Sequence, residues 1–180
     1  MFARDLRSWY PKEASQESLK REYLGFIERP GDGSLDRDGG REHVTASCFI
    51  FTPDLENVLL CFHKKARFWV QVGGHIEPED VSVSAAAIRE AIEESGIPDI
   101  TLIAATPMDL DRHDLGAGFI RCDVHWDVGF AAIATGDAIP VTSDESDGVR
   151  WWPLGSLPPE IPYGLTERVN QIAAAVRDSH

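Results

Sequence analysis

Three glutamates, Glu90, Glu93 and Glu94, stand at i, i+3 and i+4 within GGHIEPEDVSVSAAAIREAIEESGI, the run from Gly73 to Ile97. Ala85 to Ser95 is alanine-rich and free of Gly and Pro, which predicts helix, with Ser82 or Ser84 placed to cap its start. On a helix those three positions share a face, so the carboxylates project together. Like charges held this close repel, and a bound cation relieves the repulsion. Hard carboxylate oxygens suit Mg2+ or Mn2+, ions that hold few protein ligands and keep positions for water and phosphate. Gly96 is placed to end the helix in the left-handed conformation that glycine tolerates best. An EAIEE stretch alone is an ordinary solvated helix face. The chemistry therefore rests on its companions: Gly73 and Gly74, an acid at Asp80 beside Glu79, and Arg89.

Taken together, these residues resemble the Nudix box: a glycine, five residues, Glu, seven residues, then Arg-Glu-apolar-any-Glu-Glu-any-Gly-apolar. Gly74 opens the match, Asp80 stands at the first acidic position, and Arg89, Glu90, Glu93, Glu94, Gly96 and Ile97 follow in register. There are three departures. Asp80 replaces Glu, with Glu79 as a neighbouring substitute. Eight residues rather than seven separate Asp80 from Arg89, the extra one falling in a loop, where insertion costs little. Ala91 occupies a position that is usually larger and apolar.

The resemblance implies metal-dependent hydrolysis of a phosphoanhydride. Glu93 and Glu94 become metal ligands, Glu90 a further ligand or the base, and the Gly73 carbonyl a backbone ligand, with Mg2+ or Mn2+ as cofactor. Arg89 is expected to pair with the Asp80 acid and fix the loop rather than touch substrate. Some relatives place the base before the last strand; Glu145, ahead of Trp151, is the candidate here, with Asp144 and Asp147 as competitors. Substrate contacts are weaker expectations: Lys65 in a small basic cluster with Lys64 and Arg67, Trp69 as a stacking ring, His75 after the glycines, and His113 with His125. Each has a plain structural alternative, as solvated lysine, core aromatic or sheet histidine. The substrate classes that fit are a nucleoside triphosphate, an ADP-ribose-like molecule, a dinucleoside or an oxidised nucleotide. A non-catalytic, ligand-binding domain is the competing reading, opposed by the intact glutamates. An isopentenyl-diphosphate isomerase would need a reactive cysteine, and Cys61, in an apolar strand, is poorly suited to that.

The elements that must position these residues are legible in outline. Residues 1–42 form an N-terminal extension: Leu19, Tyr23, Phe26 and Ile27 recur at helical spacing between Glu13 and Glu28, and Arg29 to Arg41 is a Gly/Pro-rich linker. Residues 43–180 form the main domain. HVTASCFIFT from His43 and VLLCFH from Val58 predict two hairpin strands across the turn PDLEN. Phe68 to Val72 predicts a short strand, Ile100 to Leu110 and Phe119 to Ala134 two more, the last bent or bulged near Gly129, and Val149 to Pro153 a final one. Tyr163 to Arg177 is an amphipathic closing helix, with Trp151 and Trp152 facing opposite ways just before it. A mixed sheet between helices follows, an α/β fold, and the resemblance implies the Nudix α/β/α sandwich over about residues 43 to 176.

Composition narrows the partners. With 180 residues the chain has the length of one domain. A net charge of −13 opposes broad nucleic-acid binding and makes a metal necessary for any diphosphate approaching the acidic helix. Cys48, Cys61 and Cys122 show no CxxC spacing, so neither disulfides nor a zinc site are expected from them. No apolar run is long enough to span a bilayer and the first residues lack a secretion signal, so a cytoplasmic location is the default. The expected partner is a small phosphorylated molecule, with neither nucleic acid nor membrane; a homodimer is compatible.

Overall fold

The computed structural model describes residues 2–29, 32–115, 122–134, 137–143 and 146–178. Strand β1 (Glu42–Phe51) is buried along nearly its whole length, as its run of β-branched and aromatic residues requires when both faces are covered. It lies parallel to β7 (Val124–Ala134) over ten consecutive pairs, Glu42↔Val124 to Phe51↔Ile133, and antiparallel to β4 (Val72–His75). Beyond β1, β2 (Asn57–His63) carries β3 (Trp69–Val70) and β8 (Ser146–Pro153), while β5 (Ile100–Leu102) and β6 (Asp109–Asp114) both pair with β7. Parallel and antiparallel ladders share one sheet, so the sheet is mixed.

Alternation along β1 sends its residues to two helical layers. Phe49 and Phe51 pack under α4 (Leu165–Asp178), against Leu165, Val169, Ile172 and Ala173. Val44 and Ala46 face the other way, toward α3 (Val83–Ser95) and its Ala86 and Ala87. The same cluster takes in Phe2 and Leu6 of α1 (Phe2–Ser8) and Tyr23 and Phe26 of α2 (Ala14–Ile27). Phe26 stacks on Trp126 with centroids 4.6 Å apart, and the Tyr23 hydroxyl donates to the Asp127 carbonyl at 2.6 Å. Helices thus cover both faces, giving an α/β/α sandwich.

Several details differ from the sequence reading. The extension holds two helices, not one; α1 is short, and its apolar residues find their partners only in tertiary contact. The β1–β2 hairpin has a single registered pair, Phe51↔Val58, because β2 turns away to build its long ladder with β8. The strand expected over Ile100 to Leu110 is broken between β5 and β6, where Pro107 has no amide to give a ladder. No bulge occurs at Gly129: β7 keeps its register with β1 straight through it. The glycine answers a close approach instead, since a Cβ there would meet Phe49 Cε2 at 3.0 Å and Asp109 Cβ at 3.2 Å.

Candidate functional site

Helix α3 starts and stops as its ends dictate. The Ser82 hydroxyl accepts the Ala85 amide at 3.0 Å, and Gly96 closes the helix at φ 66°, its amide donating to the Ile92 carbonyl. The face with Ala86, Ala87 and Ala91 is fully buried. Small side chains here let the helix lie close to β1 and β4, which accounts for alanine at position 91. The closeness is measurable at Gly74, where a Cβ would stand 2.6 Å from the Glu90 carboxyl carbon. Any larger residue at 74 would displace that carboxylate.

The other face of α3 borders a cavity of about 190 Å³ lined by Glu90, Glu93, Glu94, Arg89, Gly74, His75, Glu77, Arg37 and Ser143. Glu94 is nearly buried (5% exposed), and its Oε2 accepts the Gly73 amide at 2.8 Å. Arg89 organises the rest. Its Nε and Nη2 donate to the two Asp80 oxygens at 3.1 and 2.8 Å, its Nη1 to Glu90 at 3.0 Å and Glu93 at 3.2 Å, and its Nη2 to the His75 carbonyl at 2.9 Å. Asp80 also accepts the Glu77 amide at 2.8 Å. Burial opposes ionisation of Asp80, but Arg89 and that amide outweigh it and hold its carboxyl below the usual range. The guanidinium is raised further above its ordinary value, chiefly by Asp80. The acid facing Arg89 is therefore Asp80, while Glu79 is exposed. Val81 separates Asp80 from the cap residue Ser82, and α3 then runs unbroken from Val83 through Arg89 to Ser95.

Behind the cavity the sheet carries a polar stripe. Thr45 and Ser47 hydroxyls donate to the two Asp127 oxygens at 2.9 and 2.6 Å. Arg168 of α4 reaches in to Asp109 at 2.6 Å, Asp111 at 3.1 Å and Asp127 at 3.7 Å. Burial pushes Asp109 up to about 6 despite Arg168. At the open end of this stripe His75, His43, His125 and His113 stand side by side, with neighbouring ring centroids 5.0, 4.9 and 5.5 Å apart. Burial, aided by Arg37 and His43, lowers His75 to about 4; burial and the neighbouring histidines lower His125 to about 3. Burial also lowers His43. For His113 burial opposes protonation, but Asp111, 2.9 Å from its Nδ1, prevails and raises it.

Of the residues singled out from sequence, Glu90, Glu93, Glu94, Arg89 and His75 meet around the cavity, and Gly73 adjoins it through its bond to Glu94. His113 and His125 lie on the neighbouring strands β6 and β7. Lys65 is exposed on the β2–β3 turn and does not line the cavity. Trp69 does not either: it is buried among Phe62 and Trp152, in the core under α4. Trp151 and Trp152 both pack, on opposite faces. Asp144 and Glu145 lie outside the described residues; Asp147 pairs with Arg67 at 2.7 Å. Cys61 is 1% exposed. Sequence reasoning missed Arg37, Ser143 and His43. Arg37 sits in a Gly/Asp-rich loop with no local signal, and His43 opens a strand that otherwise looks like core. No helix among the described residues is long and apolar enough to cross a membrane.

Among curated proteins none matches the chain. Solved structures do. A NUDIX-family hydrolase from Clostridium perfringens is 24% identical with a TM-score of 0.60, covering 77% of this chain and 98% of that one. A C. elegans Ap4A hydrolase is 17% identical with a TM-score of 0.62, covering 75% and 98%. The NUDIX domain of Shewanella oneidensis NrtR, complexed with ADP ribose, is 19% identical with a TM-score of 0.55, covering 74% and 87%. At these identities the likeness establishes the fold. The family model described as NUDIX domain matches residues 41–172, most of the chain and every cavity-lining residue named above except Arg37. On that match the chain belongs to the NUDIX domain family.

Proposed function

We propose that this protein hydrolyses a phosphoanhydride bond in a nucleoside diphosphate joined to a further group, with Mg2+ or Mn2+ held by Glu90, Glu93 and Glu94. The observation that carries this reading is the convergence of three carboxylates from one helix face on a single cavity of about 190 Å³. The donor set fits such an ion: hard oxygens, closely spaced, only partly neutralised by Arg89. Bound there, the ion would neutralise phosphate charge and acidify a water for attack on phosphorus.

The remaining roles belong to the chain. Arg89 is a positioning residue: tied to Asp80 and the His75 carbonyl, it fixes the Glu90 and Glu93 carboxylates in place. The Gly73 amide does the same for Glu94, leaving the Gly73 carbonyl as a backbone ligand. Arg37 supplies a positive charge on the cavity wall, suited to a substrate phosphate oxygen. Glu90, against the Gly74 backbone, serves as a further metal ligand or takes the proton from the attacking water.

Phosphate-linked turnover across nucleoside triphosphates, dinucleoside polyphosphates, ADP-ribose and nucleotide sugars tests this, with Mg2+, Mn2+ or EDTA. Metal-dependent cleavage of one class is expected. Silence across the panel, with nucleotide binding retained in a thermal-shift assay, would replace hydrolysis with ligand binding.

A further inference from the structure

Strand register alone predicts the histidine cluster. His43 of β1 is the cross-strand partner of His125 in β7, and His125 is the partner of His113 in β6. His75 of β4 is the partner of Thr45, two residues from His43 on the same face of β1. All four rings therefore project from one face. It is the face opposite Gly74 and α3, because strand neighbours point to opposite sides. The cluster lies across the sheet from the glutamates.

Three of the rings converge. One ligand nitrogen each from His43, His75 and His125 lies within 4.8 Å of the other two, and no acid or cysteine belongs to that set. A tetrahedral zinc-class ion, with metal–nitrogen bonds near 2.0–2.1 Å, needs its ligand nitrogens roughly 3.4 Å apart. The widest gap would have to close by about 1.4 Å to reach that spacing, within the range of side-chain rotation. The rings also lack other work. A neutral imidazole carries one donor and one acceptor. Among the described residues no group hydrogen-bonds the ring of His75 or His125, although both are largely buried, and His43 is approached only by the weakly bonding Cys122 thiol at 3.5 Å.

We propose that His43, His75 and His125 form a second metal site, which takes a borderline-soft divalent ion of the zinc class. Imidazole nitrogen discriminates it from the glutamate cavity, whose oxygens suit Mg2+ or Mn2+. Three protein ligands leave a fourth position for water or for a donor atom of a bound molecule. His75 belongs to both places: its carbonyl accepts Arg89 on the glutamate side, and its ring joins the histidine set.

The test uses the full chain, stripped with chelator and returned to excess Mg2+, then titrated with Co2+ and with Zn2+. One equivalent of Co2+ should develop the strong visible absorption of a tetrahedral site, and one of Zn2+ should abolish it and raise Tm. His75→Asn and His125→Asn, on two different strands, should each weaken Co2+ binding at least tenfold. Glu94→Gln should leave the spectrum and the affinity unchanged. Either histidine variant alone decides the matter if the other does not fold. A wild-type protein with neither the absorption nor the Zn2+-dependent rise in Tm overturns the proposal, as does a site lost in Glu94→Gln or kept in a folded histidine variant. None of these readouts depends on hydrolysis, so failure here leaves the glutamate chemistry standing.

Discussion

Replacing Asp80 by Asn removes one charge at the point where the box loop meets its helix. Asp80 is 7% and Arg89 22% exposed at the side chain, so the pair is well shielded from solvent. The carboxylate accepts three hydrogen bonds, two from the guanidinium and one from the Glu77 amide. Asparagine has a single acceptor oxygen, and its NH2 would face a guanidinium that can only donate. A charge-assisted hydrogen bond contributes about 1.5–3 kcal/mol. Arg89 keeps Glu90, Glu93 and the His75 carbonyl, so the loss is partial, about 2 kcal/mol. For 180 residues this lowers Tm by about 4–8 °C. Glu79→Gln, one residue earlier and exposed, should change stability by less than about 0.5 kcal/mol. Thermal and urea unfolding of the two variants beside the wild type makes the comparison. Equal losses, or a larger one for Glu79→Gln, would refute the pairing.

Arg168→Met leaves Asp109 and Asp127 buried without their cation and should cost about 3–5 kcal/mol in urea unfolding, with Asp109→Asn in the same chain recovering part of it. Acid should destabilise the metal-free protein through its histidines. The folded values of about 4 for His75 and about 3 for His125 lie below the ordinary 6.5, so the unfolded chain binds more protons between them. Their contribution is complete above pH 6.5 and is lost as pH falls through that window, on the order of 1–2 kcal/mol for each ring by pH 5. His113, raised by Asp111, acts in the opposite sense and stabilises below its ordinary value. Tm measured against pH in EDTA should therefore fall less steeply below pH 6.5 in His125→Asn than in the wild type.

The sequence carried the box because its signal is local. Three glutamates at i, i+3 and i+4, a serine cap and a terminal glycine define α3 without reference to the rest of the fold. Strands β1, β2 and β7 were legible from β-branched and aromatic runs for the same reason. What stayed hidden depends on register. His43, His75 and His125 span three strands, and only the β1–β7 and β1–β4 pairings bring them together. Arg168 meets Asp109 from the opposite end of the domain, and nothing in LTERVNQ announces a buried arginine. Helix α1 is too short to be stable alone, and Phe2 and Leu6 are buried by contacts that no local pattern encodes. The polar stripe under β1 gave no local signal for a similar reason: Thr45 and Ser47 are ordinary strand residues until Asp127 lies opposite them.

The most direct measurement is turnover of the best substrate by Glu93→Gln and Glu94→Gln, beside the wild type, in saturating Mg2+ and with each fold checked by its melting curve. Both variants keep shape and lose one charge from the cavity. The account predicts that each stays folded and loses at least a hundredfold in kcat, a barrier increase of about 2.7 kcal/mol or more. Full activity in both folded variants would contradict it, and the glutamate cavity would no longer be the place where this protein does its chemistry.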